Sequence, residues 1–171
     1  VLNGGVKMSK SMDNTIDPEE MINNYGADTV RLFMMFAAPP EQSLEWSDKA
    51  VNGAYRFLRK FWKIVLKRID DIVGIEAIDP DDVFNDSQKE LRKITHKTIA
   101  KVSDDIGRRY TFNTAIAAIM KLSNDVSSYQ IETDLDRKVV REALESMVLL
   151  LSPIVPHICK HLWIELGHKN A

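Results

Sequence analysis

"SDKAVNGAYRFLRKFWKIVLKRIDDI", residues 47–72, is the stretch that decides how this chain folds. At 100° per residue, Ala54, Leu58, Phe61, Trp62, Val65 and Ile69 fall on one face, and Arg56, Lys60, Lys63 and Lys67 form a stripe on the other. The separation holds along the whole stretch and predicts a long helix with one buried side, capped by Ser47 and running to about Ile72. No acid occurs between Asp48 and Asp70. Then the sign flips. Asp70, Asp71, Glu76, Asp79, Asp81, Asp82 and Asp86 follow with no base among them, in a segment broken by Gly74 and Pro80. Residues 70–87 are expected to be a solvated acidic linker that repels polyanions.

Beyond the linker the helical period returns in three patterns. The first runs through Leu91, Ile94, Thr98, Val102 and Ile106, with a stop at Gly107. The second carries Phe112, Ala115, Ile116, Ile119 and Val126, and the third Leu135, Val139, Leu144, Met147, Val148 and Leu151. A last helix begins near Pro156 and closes at Gly167. Upstream, Asp17 caps a short helix over "PEEMINNY" that Gly26 ends, and "ADTVRLFMMFA" is an apolar helix ended by Pro39-Pro40. Asp28 and Arg31 stand three apart on it and are expected to pair. Alternating strand patterns are missing after residue 15; residues 6–17 read as loop. The fold class is all-α: an antiparallel helix bundle over 47–171, preceded at 1–46 by a short strand/loop and connecting helices.

The bulk numbers set limits. The chain has 171 residues, is 44% hydrophobic and 28% charged, and carries a net charge of -2. Overall attraction to nucleic acid is therefore ruled out as a binding mode, and any polyanion site must be local. One cysteine, Cys159, forbids an intrachain disulfide and suits a reducing, cytoplasmic setting; it reads as a packed side chain. No apolar run approaches the ~20 residues that cross a bilayer, so no membrane partner is expected. His157 and His161 are four apart, but two ligands fall short of a zinc site, so no metal is expected there.

The opening loop carries different chemistry. In "VKMSKSMDN", residues 6–14, Lys7 and Lys10 sit with Ser9 and Ser11 just behind Gly4-Gly5. Two compact ammonium groups on a mobile segment, with hydroxyls and amides beside them, suit a polyphosphate. Cations that close in as charge develops on a phosphate accelerate its transfer. The plainer reading is solvated surface.

The string "KMSKS", Lys7 to Ser11, resembles the signature loop of the class I aminoacyl-tRNA synthetases. The surrounding "SKSMDNTIDPEEMINNYGADTVRLFMMFAAPPEQSLEWSDKAVNGAYRFLRKFW", with "HKTIAKVSDDIGRRYTFNTAIAAIMKL" at 96–122 and "PHICKHLWIELG" at 156–167, is similar to the bacterial leucine-specific branch of that family. Valine and isoleucine relatives usually carry Gly-Asn after the signature, where Asp13-Asn14 stands here; Met12 replaces a common third lysine. The resemblance implies ATP, with Mg2+, as substrate, bound by Lys7, Met8, Ser9, Lys10 and Ser11. It implies catalytic roles for Lys10, on the departing pyrophosphate, and for Lys7 in support. It also implies activation of leucine, transfer to tRNA(Leu), a bundle of the anticodon-binding type and a monomeric full-length enzyme in the cytoplasm. The family's second, His-containing signature does not surround any of the four histidines, so this chain alone is expected to be inactive.

The resemblance brings tRNA within reach of the α-helical stripe. Arg56, Lys60, Lys63 and Lys67 span about 16 Å of helix and could meet several phosphates; a solvated face is the alternative. Arg108 and Arg109, behind Gly107, form a second candidate with the same alternative. Two other functions stay open: a synthetase-like RNA-binding module without catalysis, and the same enzyme class acting on valine or isoleucine.

Overall fold

The structure, a computed structural model, describes residues 1–169. Its helices are α1 (Pro18–Tyr25), α2 (Ala27–Ala37), α3 (Asp48–Ile72), α4 (Asp86–Asp104), α5 (Phe112–Ser128), α6 (Asp134–Leu151) and α7 (Pro156–Glu165). The all-α class and the antiparallel bundle are as the periodicity indicates. Local chemistry sets the ends: Asp17 accepts from the Glu19 amide, Ser47 from the Ala50 amide, and Asn85 and Thr133 close reciprocal boxes with Gln88 and Asp136.

The core is continuous. Val51, Phe61 and Val65 of α3 are fully buried against Ile116, Ile119 and Leu122 of α5 and Leu144, Met147 and Leu151 of α6. Truncating Phe61 to Ala removes a completely buried ring and costs about 3–5 kcal/mol. Leu32 and Phe33 carry α2 into the same core, and the Phe33 ring meets Trp46 edge to face at 5.0 Å. Met34 and Phe36, on the other side of α2, remain 39% exposed.

Three local expectations are corrected. The short strand expected at the start is present, but the loop read over 6–17 begins as its partner: Leu2–Asn3 (β1) and Val6–Lys7 (β2) pair antiparallel around Gly4 and Gly5, whose φ angles of 60° and 76° make the tight two-residue turn. Leu2 also exchanges bonds with the backbone just before α3, donating to Leu44 O at 2.7 Å and accepting from the Trp46 amide at 2.8 Å. Second, Gly107 does not stop α4. The helix widens into a π turn at Asp105–Arg109, and the chain breaks at Tyr110, φ 56°.

Third, Asp28 and Arg31 do not pair with each other. Asp28 accepts from the Ile158 amide at 2.7 Å and bonds His157 Nδ1 at 2.8 Å, capping α7. Arg31 donates to the carbonyls of Ile154 (2.8 Å) and Pro153 (3.0 Å), between α6 and α7. Helix α2 is thus clamped to the α6–α7 corner. The acidic linker keeps Glu76, Asp79 and Asp81 exposed and is also strapped to α6: Lys138 pairs with Asp82 at 3.0 Å, and Arg141 donates to the Ile75 carbonyl.

Candidate functional site

Lys7 ends β2, and Lys10 begins a 3-10 turn, Lys10–Met12. Both side chains are exposed, and neither has a partner among the described residues. What surrounds them is a frame. Asn14 accepts from the Ser9 amide at 2.8 Å and donates to the Lys7 carbonyl at 3.2 Å, while its own carbonyl accepts from Asn3 at 3.2 Å. Ser9 Oγ and Ser11 Oγ are 3.1 Å apart. Met8 stands between the lysines, half-buried, its amide donating to Val1 O at 3.1 Å. Asp13 takes a left-handed conformation, φ 50°, a geometry that glycine adopts freely and Asp tolerates. One asparagine therefore ties the root of the loop across both lysines, and no acid neutralises them. The arrangement can present two cations to an anion while the serine hydroxyls supply donors.

The α3 stripe lines a groove of about 540 Å³. Arg56, Lys60, Lys63 and Lys67 all contribute, with Arg59 and Arg68, which the helical-wheel reading left out. The signal was there: both cations flank the stripe in the sequence. Lys60 donates to Asn124 of α5 at 2.6 Å, and Arg68 to the Tyr129 carbonyl at 2.6 Å. Arg56, Lys63 and Lys67 have no partner among the described residues. Arg56, Lys63 and Lys67 thus present three unpaired cations along one edge of α3, an arrangement open to an anion.

Arg108 and Arg109 stand elsewhere, on the π turn, and do not line this groove. Arg108 pairs with Asp104 at 2.6 Å; Arg109 lies 3.7 Å from Asp105 and 4.0 Å from Asp104. Asp105 is buried, which alone would raise its pKa, but hydrogen bonds from Lys101 (2.8 Å) and Thr114 (2.6 Å) hold it below the usual carboxylate range. A second buried acid, Asp136, joins α6 to α4. Burial opposes its charge, yet Gln88, Thr133, Tyr129 and the Glu132 amide together hold it far below that range.

The histidines are held by other groups: His157 by Asp28, His161 by Glu165 at 3.3 Å and a stack on Trp62, and His168 by Glu145 at 2.9 Å. Among the described residues no three His, Cys, Asp or Glu side chains gather as a metal set would. Cys159 is buried, and desolvation with the nearby Asp28 charge pushes its thiol up to about 12, which makes it a poor nucleophile. No described helix is long and apolar enough to cross a membrane.

Comparison with known proteins adds names to these parts. Residues 2–47 match the family described as tRNA synthetases class I (I, L, M and V), and residues 88–171 match the anticodon-binding domain of tRNA ligase. The leucine–tRNA ligase of Chromohalobacter salexigens is 59% identical over 98% of this chain and 19% of its own length. That of Nitrosococcus oceani is 56% identical over 100% of the chain and 21% of its own. The chain thus spans about a fifth of the length of the curated relatives it matches. The LeuRS of Agrobacterium radiobacter K84, solved as a ternary complex with tRNA and LeuAMS, superposes with a TM-score of 0.89 at 29% identity over 99% of this chain and 22% of its own. The Mycobacterium tuberculosis methionyl-tRNA synthetase, solved with methionyl-adenylate, shares the fold: TM-score 0.71, 22% identity, 92% of this chain and 35% of its own.

Proposed function

We propose that this chain, which matches the class I tRNA synthetase family over residues 2–47 and is similar over its whole length to leucine–tRNA ligases, forms the signature-loop and helix-bundle portion of such a ligase. The parent enzyme activates leucine with MgATP and passes the leucyl group to tRNA(Leu), working as a single cytoplasmic chain. Residues 1–46 supply the loop and the helices that root it; residues 47–171 supply the tRNA-facing bundle.

The observation that carries this reading is the pair of uncompensated ammonium groups on a framed loop. In the first step the leucine carboxylate attacks the α-phosphate in line, and the α–β bridging bond breaks toward pyrophosphate. Charge grows on the leaving group as that bond stretches. Lys10 meets it there, with Lys7 beside it, while Met8, Ser9 and Ser11 shape the loop and offer donors. Such a displacement asks a protein for positioning and charge stabilisation more than for covalent work. A preorganised donor in this role is worth about 3 kcal/mol.

The bundle's part is positional. Arg56, Lys60, Lys63 and Lys67 contact the tRNA backbone without reading sequence. Arg108 and Arg109 give a weaker contact, because Asp104 and Asp105 compete for them.

The test is to graft this chain in place of the matching segment of a leucine–tRNA ligase and measure ATP–pyrophosphate exchange. Exchange with leucine and not with valine or isoleucine is expected. Lys10→Ala should lower the exchange rate about a hundredfold or more and leave leucine affinity nearly unchanged. Equal losses in rate and affinity would remove the assigned role, exchange driven by valine or isoleucine would overturn the specificity, and a grafted enzyme active only in tRNA binding would favour a non-catalytic module.

A further inference from the structure

A second cleft, of about 460 Å³, opens where the α1–α2 junction meets α3 and α7. Its character differs from that of the basic groove. Tyr25, Tyr55 and Trp62 line it, with Arg59, Lys63 and Asp28, whose carboxylate is taken up by His157 and the Ile158 amide. The two tyrosine rings meet edge to face at 5.9 Å, which fixes their planes, and Arg59 lies over the Tyr55 ring at 5.7 Å. Trp62 is stacked on His161 at 4.9 Å. Asn52 donates to the Tyr25 hydroxyl at 3.3 Å, whereas the Tyr55 hydroxyl has no hydrogen-bond partner among the described residues.

Arg59 and Lys63 line both this cleft and the basic groove. A polyanion followed along α3 therefore passes the mouth of an aromatic recess. We propose that this recess receives one unstacked nucleobase of the RNA whose backbone lies in the α3 groove. The inference rests on the backbone contact proposed above. Aromatic faces accept any base by stacking, and neighbouring cations hold the adjoining phosphates; together they make a nucleotide site that a purely electrostatic surface lacks. The unpartnered Tyr55 hydroxyl offers a hydrogen bond to a base edge, so the recess has the means for a modest base preference. A volume of this size suits a small planar ligand.

The experiment compares two single-stranded RNA oligomers of equal length binding to the chain across a salt series. One carries 2-aminopurine at a central position; the other is abasic there. The base-bearing oligomer should bind about tenfold more tightly at every salt concentration, with its fluorescence quenched on stacking. Both oligomers should give the same salt slope, since both meet the same phosphates. Tyr55→Leu, with Tyr25→Leu as a second variant in case the first disturbs folding (checked by circular dichroism), should erase the tenfold difference and the quenching and keep the slope. Equal binding of the two oligomers with a retained slope overturns the base site and leaves the backbone contact standing. Absence of salt-dependent binding by either oligomer overturns both. A tenfold difference that survives both tyrosine substitutions in folded protein also overturns the assignment, because the base would then sit elsewhere.

Discussion

The α3 groove and the π turn are both rich in cations and are not equivalent. On α3, Arg56, Lys63 and Lys67 face solvent with no acid paired to them among the described residues. On the π turn, Arg108 and Arg109 are held by Asp104 and Asp105, and Lys101 is held by Asp105 as well. The first set has charge to give; the second has spent its charge on the fold. A basic run in a sequence therefore says little about polyanion binding until the acids that surround it in space are known.

The sharpest way to break this comparison is to remove the acid from the π turn. Asp105→Ala removes the buried acceptor that ties the exposed side chains of Lys101, Arg109 and Thr114 together and should cost about 1–2 kcal/mol of stability, read from the midpoint of urea denaturation. Changing Lys63 to Gln should stay within about 0.5 kcal/mol, as surface substitutions do. Similar costs at the two sites would erase the distinction.

Binding should divide the regions in the opposite sense. Replacing Arg56, Lys63 and Lys67 together with Gln should reduce the slope of log affinity for tRNA against log salt by up to about 3, and weaken binding at low salt by one to two orders of magnitude, roughly. Arg108→Gln with Arg109→Gln should change affinity less than about threefold, because the charges lost there were already compensated. A larger loss from the π-turn pair would reverse the ranking.

Acid titration separates them once more. A carboxyl whose pKa falls on folding stabilises the fold wherever it is ionised. That contribution is present above its unfolded value of about 4 and disappears as pH drops through the folded value. Asp105 and Asp136 are both lowered, so the denaturation midpoint should hold between pH 7 and pH 5, as order-of-magnitude bounds, and fall below about pH 4. Asp136→Asn should flatten that fall, and an unchanged profile would show that its hydrogen bonds contribute little. The smallest effect is expected at Asp13→Gly, which relieves a left-handed residue and adds chain entropy. Stability should move by less than about 1 kcal/mol in either direction.

These particulars explain what could be read in advance. The helices were legible because their signals are local: Asp17, Ser47 and Pro18 act within one turn, and the apolar period of α3 is set by its own residues. The stripe was legible for the same reason. The partners of Asp28 and Arg31 were not, since they lie more than a hundred positions away, where the spacing of two helix neighbours carries no information. Gly107 misled because glycine both ends helices and tolerates widening; Thr111 and Thr114, which close the π turn around Asp105, decide between the two. The linker's exposure could be read from its own charges, but the contacts that Lys138 and Arg141 bring to it from α6 could not. The Gly-Gly hairpin at the loop's root was present as a two-residue turn signal between short apolar pairs, and its shortness hid it. The cationic loop itself stood in plain view; the Asn14 frame that shapes it did not.

The clamp made by Asp28 and Arg31 has a mechanical consequence. The clamp lies in the first turn of α2, so that end of the helix and the α6–α7 corner form one body, and the residue next to it in the chain is Gly26. Its backbone, φ 84° and ψ 150°, is one that only glycine adopts without strain. A side chain at Gly26 would therefore strain the one joint between that body and the short helix leading back to the cationic loop.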